Sequence, residues 1–468
     1  MQAFSKLSDF SPLSEAEARL IEEMGSGRAV TLGDGELPPA DAGPDRTVRA
    51  ELIRYLLLGG CEELRSTGAR LHEKGIKIVG ARISSVLDMQ SCVIPFDIAL
   101  LKCRFDEVPV FISARLQNLA MNSSILPGFV ADWSDYRGAV TMDSIQVTGE
   151  VRLVGATIGG KLDFDGAQIS NPGKNALLVN RAIGNGAFFL RRGAHIEGLF
   201  NMTDSHFRTV VDAVESWPAP GELNLNRLTY DAFVMDSPVA PEARIKWLSL
   251  QNPKRFGADF WPQPYEQCAK VLREMGDAGG AQLILIEKER LQRKAMRGRA
   301  TPAMRALLWI RDAVLSATIR YGHRPIYAVL WLIGLWLLGT VVFGMLYQSS
   351  AFMPNSVTVL RSSEWLRCAG PAQADQPADG PAALPGESQM DCFLRQPEAQ
   401  SYPRFFAPIY ALDTLVPIID LDVASFWRPD ETKPWGQFGQ DYLWAQIVLG
   451  WAFTFLAVAG FSGLVKSK

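Results

Sequence analysis

Across 468 residues the chain has four histidines and six cysteines. None of them falls in a CxxC or HExxH arrangement, which leaves little room for a zinc site. GxGxxG is missing, as is any spacing suited to haem or an iron–sulfur cluster, so no cofactor is expected. An excess of one charge is missing too: 47 Lys/Arg face 50 Asp/Glu, for a net charge of −3. That balance suits neither a basic nucleic-acid surface nor an acidic DNA mimic, and no nucleic-acid partner is expected. Apolar residues, by contrast, make up 48% of the chain, which excludes global disorder at a length sufficient for two or three domains.

The longest charge-free apolar stretches lie in the last third. Residues 326–347 (IYAVLWLIGLWLLGTVVFGMLY) and 442–465 (YLWAQIVLGWAFTFLAVAGFSGLV) carry no charge. About 20 apolar residues cross a bilayer as a helix, so each is long enough. Trp331, Trp336, Tyr347, Tyr442 and Trp444 are aromatics of the kind that settle at the interface. Residues 288–324 hold ten Lys/Arg against two acids, while residues 348–441 hold six against twelve, and Lys466 and Lys468 follow the second span. The positive-inside rule then places both termini in the cytoplasm and the intervening loop outside. The opening MQAFSKLSDF has no apolar core of a secretory signal. The cysteines divide accordingly. Cys61, Cys92, Cys103 and Cys268 fall on the reducing side, whereas Cys368 and Cys392 share the outer loop. A bridge between those two would stabilise a Pro- and Ala-rich segment by about 3 kcal/mol on the chain-entropy model.

An eleven-residue repeat runs through the soluble part. GEVRLVGATIG (149–159) is followed directly by GKLDFDGAQIS (160–170), with GAVTMDSIQVT (138–148) upstream. KGIKIVGARIS, SVLDMQSCVIP, FDIALLKCRFD and EVPVFISARLQ fill 74–117, and GLFNMTDSHFR occupies 198–208. The eighth position is small in Ala81, Cys92, Cys103, Ala114, Ala156, Ala167, Ala194 and Ser205. Apolar residues at positions 3, 5, 8 and 10 form two alternating pairs, which predicts two short strands joined by a bend. Gly at the bend would be costly in a helix. Stacked coils of two units, about 22 residues, make a β-helix with the small residues at a crowded inward corner. The register slips at 119–136 and 171–192, where bulging loops are expected.

These residues resemble degenerate pentapeptide repeats, which build a right-handed quadrilateral β-helix. With TVRAELIRYLLLGG (47–60), GEVRLVGATIGG (149–160), PYEQCAKVLREMG (264–276), YALDTLVPIIDL (410–421) and the closing span, the chain resembles a family of bacterial inner-membrane proteins. That family joins such repeats to a C-terminal two-span region and is sometimes labelled membrane-associated oxidoreductase. No redox motif supports that label here.

The expected order is a helical cap (1–66), a β-helix (67–215), and a linker with a helical hairpin (216–300). An amphipathic interfacial helix (301–324) and the first span (325–348) follow. Next come an extracytoplasmic loop (349–440) with a re-entrant or interfacial segment (402–427), and the second span with its basic tail (441–468). Within the cap, Ser14-Glu-Ala-Glu17 is a capping box opening a helix that Gly25 can end, and a second helix covers 46–58.

Catalytic groupings are absent from this reading. His195 and His206 lie on different sides of a 22-residue coil, and Asp88, Asp163 and Asp165 are spread along the repeat rather than gathered in a cleft. The expectation is a non-enzymatic, membrane-anchored scaffold displaying a cytosolic β-helix to a protein partner of unknown identity, with the bilayer as its other partner. The alternative is a homo-oligomeric cation channel or membrane effector gated through the β-helix, with Asp413, Asp420 and Asp422 at the outer mouth.

Overall fold

The structure, a computed structural model, describes residues 6–59, 71–234, 236–252, 260–319, 326–369, 383–384 and 386–462. It divides into two compact units, residues 1–299 and 300–468.

The first unit is a β-solenoid of about seven turns with helices at its ends. Its strands form a twelve-stranded and a ten-stranded sheet, and every pairing described in them is parallel, as stacked coils require. Ile76 pairs with Ile98, Ile98 with Leu119, Leu119 with Val140 and Val140 with Leu162. The steps are therefore 22, 21, 21 and 22 residues, two repeat units per coil. Strand residues alternate inward and outward, and Ile76, Ile98, Leu119, Val140 and Leu162 stack in a continuous buried column.

The bend inside each unit has a common geometry. In Leu153–Ala156 and Phe111–Ala114 the fourth residue's N–H donates to the first residue's carbonyl (3.2 and 3.1 Å), and the third residue, Gly155 or Ser113, has φ of +67° or +56°. Such a turn asks for glycine, yet Ser91, Lys102, Ser113, Ser123, Trp133, Ser144, Arg181, Arg192, Asp204 and Arg227 also adopt positive φ.

The solenoid is longer than expected. Val30–Thr31 and Thr47–Arg49 stack on the strands at 76–79 and 82–84, and Thr229–Phe233 extends the other end. Part of the expected second helix is consequently a strand: β-branched Thr47 and Val48 pair with Arg82 and Ile83, which leaves α2 as Ala50–Leu57. The capping box holds, with Ser14 accepting from the Glu17 N–H, and α1 spans Glu15–Glu23. It runs on as a 3-10 turn, Met24–Ser26, and Gly27 rather than Gly25 ends it at φ +71°. At the far end α3 (Pro241–Ser249), α4 (Gln263–Glu274) and α5 (Ala278–Arg299) pack on the last coils, with Gly276 at φ +93° between the last two.

The two slips have different origins. Around 119–136 no loop bulges: the coil shortens to 20 residues between Arg115 and Asp135, and Ser124 and Ser134 fill the corner. Beyond 170 a bulge does form, because Gln168–Leu178 shifts register against His195–Asn201 between Ser170 and Leu177.

The second unit contains α6 (Pro302–Ile319), α7 (Ile326–Gln348), α8 (Ala407–Leu415) and α9 (Gly436–Phe461). Among the described residues, α7 and α9 are the helices long and apolar enough to cross a membrane, judged by length and composition. Between them, Phe352–Pro354 pairs antiparallel with Trp427–Pro429. The Cys368 and Cys392 sulfurs lie at bonding distance, with Cα atoms 5.7 Å apart, and both residues are buried.

Candidate functional site

In the solenoid, Ala81, Cys92, Cys103, Ala114, Ala156, Ala167, Ala194 and Ser205 are all buried at the corners. Ser205 Oγ donates to the Met202 carbonyl (2.6 Å), and Ser124 Oγ accepts from the Cys103 N–H (2.9 Å) while donating to Leu100 O (3.0 Å). Burial pushes the Cys103 thiol up to about 12 and the Cys268 thiol to about 11, so both stay protonated and make poor nucleophiles. Cys61 lies outside the described residues.

Several charged residues of the solenoid are committed to partners within it. His195 and His206 sit in different sheets. Asp163 and Asp165 are buried; the first meets Lys161 (2.7 Å) and the second meets Arg191 (2.9 Å) and Arg192 (3.5 Å). Asp88 Oδ1 accepts the Gln90 N–H. Arg152 holds Asp132 one coil below. No group of His, Cys, Asp and Glu among the described residues could hold a metal ion.

A buried ion pair at the C-terminal end was not legible in the sequence. Arg244 donates to both carboxylate oxygens of Asp212 (2.8 and 2.7 Å), while Trp217 Nε1 donates to the same group (2.8 Å). The guanidinium carbon lies 3.5 Å from the centroid of the Phe233 ring. Partners 32 residues apart leave no local pattern, and the pair braces α3 against the last coils.

The second unit brings Trp336, Thr414 and Gln446 into hydrogen bonds among its long helices and a short one. Helices α7 and α9 are antiparallel: Phe343 meets Tyr442 (5.4 Å between centroids), and Trp331 stacks on Phe453 (5.9 Å). Helix α8 descends along both. Tyr347 stacks on Phe405 (4.6 Å) and Phe343 meets Tyr410 (4.9 Å). Deeper, Trp336 Nε1 donates to the Pro408 carbonyl (2.8 Å), and Gln446 Nε2 donates to Ala411 O (2.9 Å) and Thr414 Oγ1 (3.0 Å). The close approach has a glycine behind it, since a Cβ on Gly450 would collide with the Leu415 carbonyl. From Tyr442 to Gly450 is eight residues, about 12 Å along the helix.

Past Leu415 the chain turns back without helix until Trp427. Asp413 holds that return: its carboxylate accepts N–H bonds from Leu421 (2.7 Å), Val423 (2.9 Å) and Ala424 (2.7 Å). Asp413 is thus a positioning residue instead of the free carboxylate expected at a mouth. Asp420 and Asp422 are exposed on the turn, with Asp422 at φ +55°. Asp420 Oδ1 accepts the Asp422 N–H (3.1 Å), and Asp422 Oδ1 accepts from Ser425 Oγ (2.7 Å). Beside them Ile418 is 74% exposed. The sequence placed the three carboxylates in one segment but could not say that Asp413 would gather three backbone N–H groups while the other two stayed exposed. Searches against protein-family models, curated proteins and solved structures find no match for the chain.

Proposed function

We propose that the chain is a two-span protein of a bacterial inner membrane that displays a non-enzymatic β-helix to a protein partner in the cytoplasm. The observation that carries the membrane part is the exposure of α7 and α9. Their apolar windows are 17% and 22% buried, and Leu337, Leu338, Val341, Val448 and Phe455 are each more than half exposed. A soluble core would cover such side chains, whereas a bilayer leaves them where they are. The basic flank before α7 favours cytoplasmic termini. The two-unit coil and its small corners favour a right-handed, pentapeptide-repeat-like solenoid.

Display suits a surface whose side chains are already ordered by cross-coil contacts and lose little freedom on binding. Arg152 and Lys161 are poor probes of that surface, because both are held in ion pairs. Arg115 and Arg137 are exposed along it. The test is in-cell crosslinking followed by purification from carbonate-washed membranes. The wild-type chain should resist carbonate and carry a discrete crosslinked protein, and Arg115→Glu with Arg137→Glu should lose that protein while keeping the melting temperature. Extraction by carbonate would reject the membrane reading, and capture indifferent to solenoid substitutions would reject display.

A further inference from the structure

The membrane reading puts the return segment after α8 in a solvent it cannot tolerate alone. Tyr347 and Tyr442 mark one interface, and Leu415 lies about 12 Å below them in a hydrocarbon core about 30 Å thick. Residues 416–426 are not helical, and Leu421, Val423 and Ala424 bond to Asp413, half a turn above Leu415 and so still about 9 Å below that interface. Irregular backbone inside a bilayer must be buried in protein or line water, because lipid offers no hydrogen bonds. Residues 418–422 are exposed, and they include the carboxylates of Asp420 and Asp422. Charged groups at this level face a protein interior or a water-filled cavity. One helical hairpin with one short helix between its arms cannot enclose water by itself.

We propose that several copies of the chain assemble around a water-filled space lined by residues 416–425, with Asp420 and Asp422 facing it and drawing in hydrated cations. The proposal rests on the two-span reading. Asp413 shapes the lining through its three backbone bonds, and each added copy brings two more carboxylates to the same level. Repetition of that pair by a symmetric assembly yields a ring of negative charge, the arrangement that favours cations over anions. The alternative occupant, a different membrane protein covering the segment, would leave it dry and the chain unassociated with itself.

The test uses the full chain in vesicles of phosphatidylethanolamine and phosphatidylglycerol, with the unsubstituted chain as the thiol background. Ile418 and Phe455 are equally exposed, at 74% each, but only Ile418 lies on the return segment. A thiol reacts as thiolate and therefore needs water, so Ile418→Cys should react with charged methanethiosulfonates about 100-fold faster than Phe455→Cys. At Ile418→Cys a cationic reagent should outpace an anionic one about tenfold, and adding Asp420→Asn and Asp422→Asn should bring the two rates together. Asn preserves the turn, since its side-chain oxygen can still accept the same bonds. Mild oxidation should link Ile418→Cys copies to one another.

Equally slow reaction at both positions, or a chain that stays monomeric by native mass, would overturn the shared space. A ratio unmoved by the Asn pair would overturn its cation preference. Fast reaction at Phe455→Cys would instead show that α9 is in water, which sinks the membrane reading and this inference with it.

Discussion

The corner alanines show how much one methyl group can decide. Ala156 is fully buried and Gly155 before it sits at φ +67°. Ala156→Asp would bury an unpaired carboxylate, and the purified full chain should lose more than about 3 kcal/mol of solenoid stability in denaturant titration. Gly155→Ala faces both positive φ and the ring of Trp133, which a Cβ would meet at 2.5 Å. A loss of about 2 kcal/mol is expected. At Ser113, already at φ +56°, the reverse change to Gly should raise stability by up to about 1 kcal/mol, the strain relieved less the entropy added to the unfolded chain. The Gly-Ala pairs made these corners visible in the sequence. Trp133 and Arg181 hid theirs, because a coil on either side can hold a residue in a conformation its own preference would not choose.

Among the elements, two carboxylates act as staples. Glu17 accepts the backbone N–H of Ser14 and of Arg49 and pairs with the Arg49 guanidinium, so it joins the start of α1 to the start of α2. Burial pulls its pKa upward, but the Arg49 pairing and the two backbone bonds outweigh it and hold the carboxyl below its ordinary value of 4.5. The folded pKa is the lower one. Its stabilisation is therefore complete above the ordinary glutamate range and is lost as pH falls through the folded value. Glu17→Gln should cost about 2 kcal/mol at neutral pH, and the gap to wild type should narrow in acid, measured as melting temperature against pH. Asp413 plays the same part for the return segment. Asp413→Asn can satisfy fewer of the three N–H donors and should destabilise the second unit by about 2 kcal/mol, read as faster proteolysis of the 416–426 turn. The capping box at Ser14–Glu17 was legible because its partners are three residues apart. The bonds from Asp413 span eight to eleven residues across a non-repeating turn, and no periodicity announces them.

For the whole chain, the proposed orientation predicts that a reporter fused after Lys468 is active in the cytoplasm, while one inserted in the 371–382 stretch is active outside. Opposite results would refute the charge-based topology, though not the existence of the spans. Composition and period sufficed for much of this architecture. Alternating apolar pairs with small corners allow few structures besides stacked coils, and uninterrupted apolar runs of more than twenty residues mark their helices without help from context. Tertiary structure alone decided where the solenoid begins and ends, because Val30–Thr31 and Thr47–Arg49 become strands only when the next coil offers them a pairing edge. It also decided that Asp413 is taken up by three backbone N–H groups while Asp420 and Asp422 stay exposed, since that depends on α8 descending between α7 and α9 against Gln446 and Gly450. Local patterns record the bonds a residue makes with its near neighbours in sequence; contacts between distant segments appear only when packing brings them together.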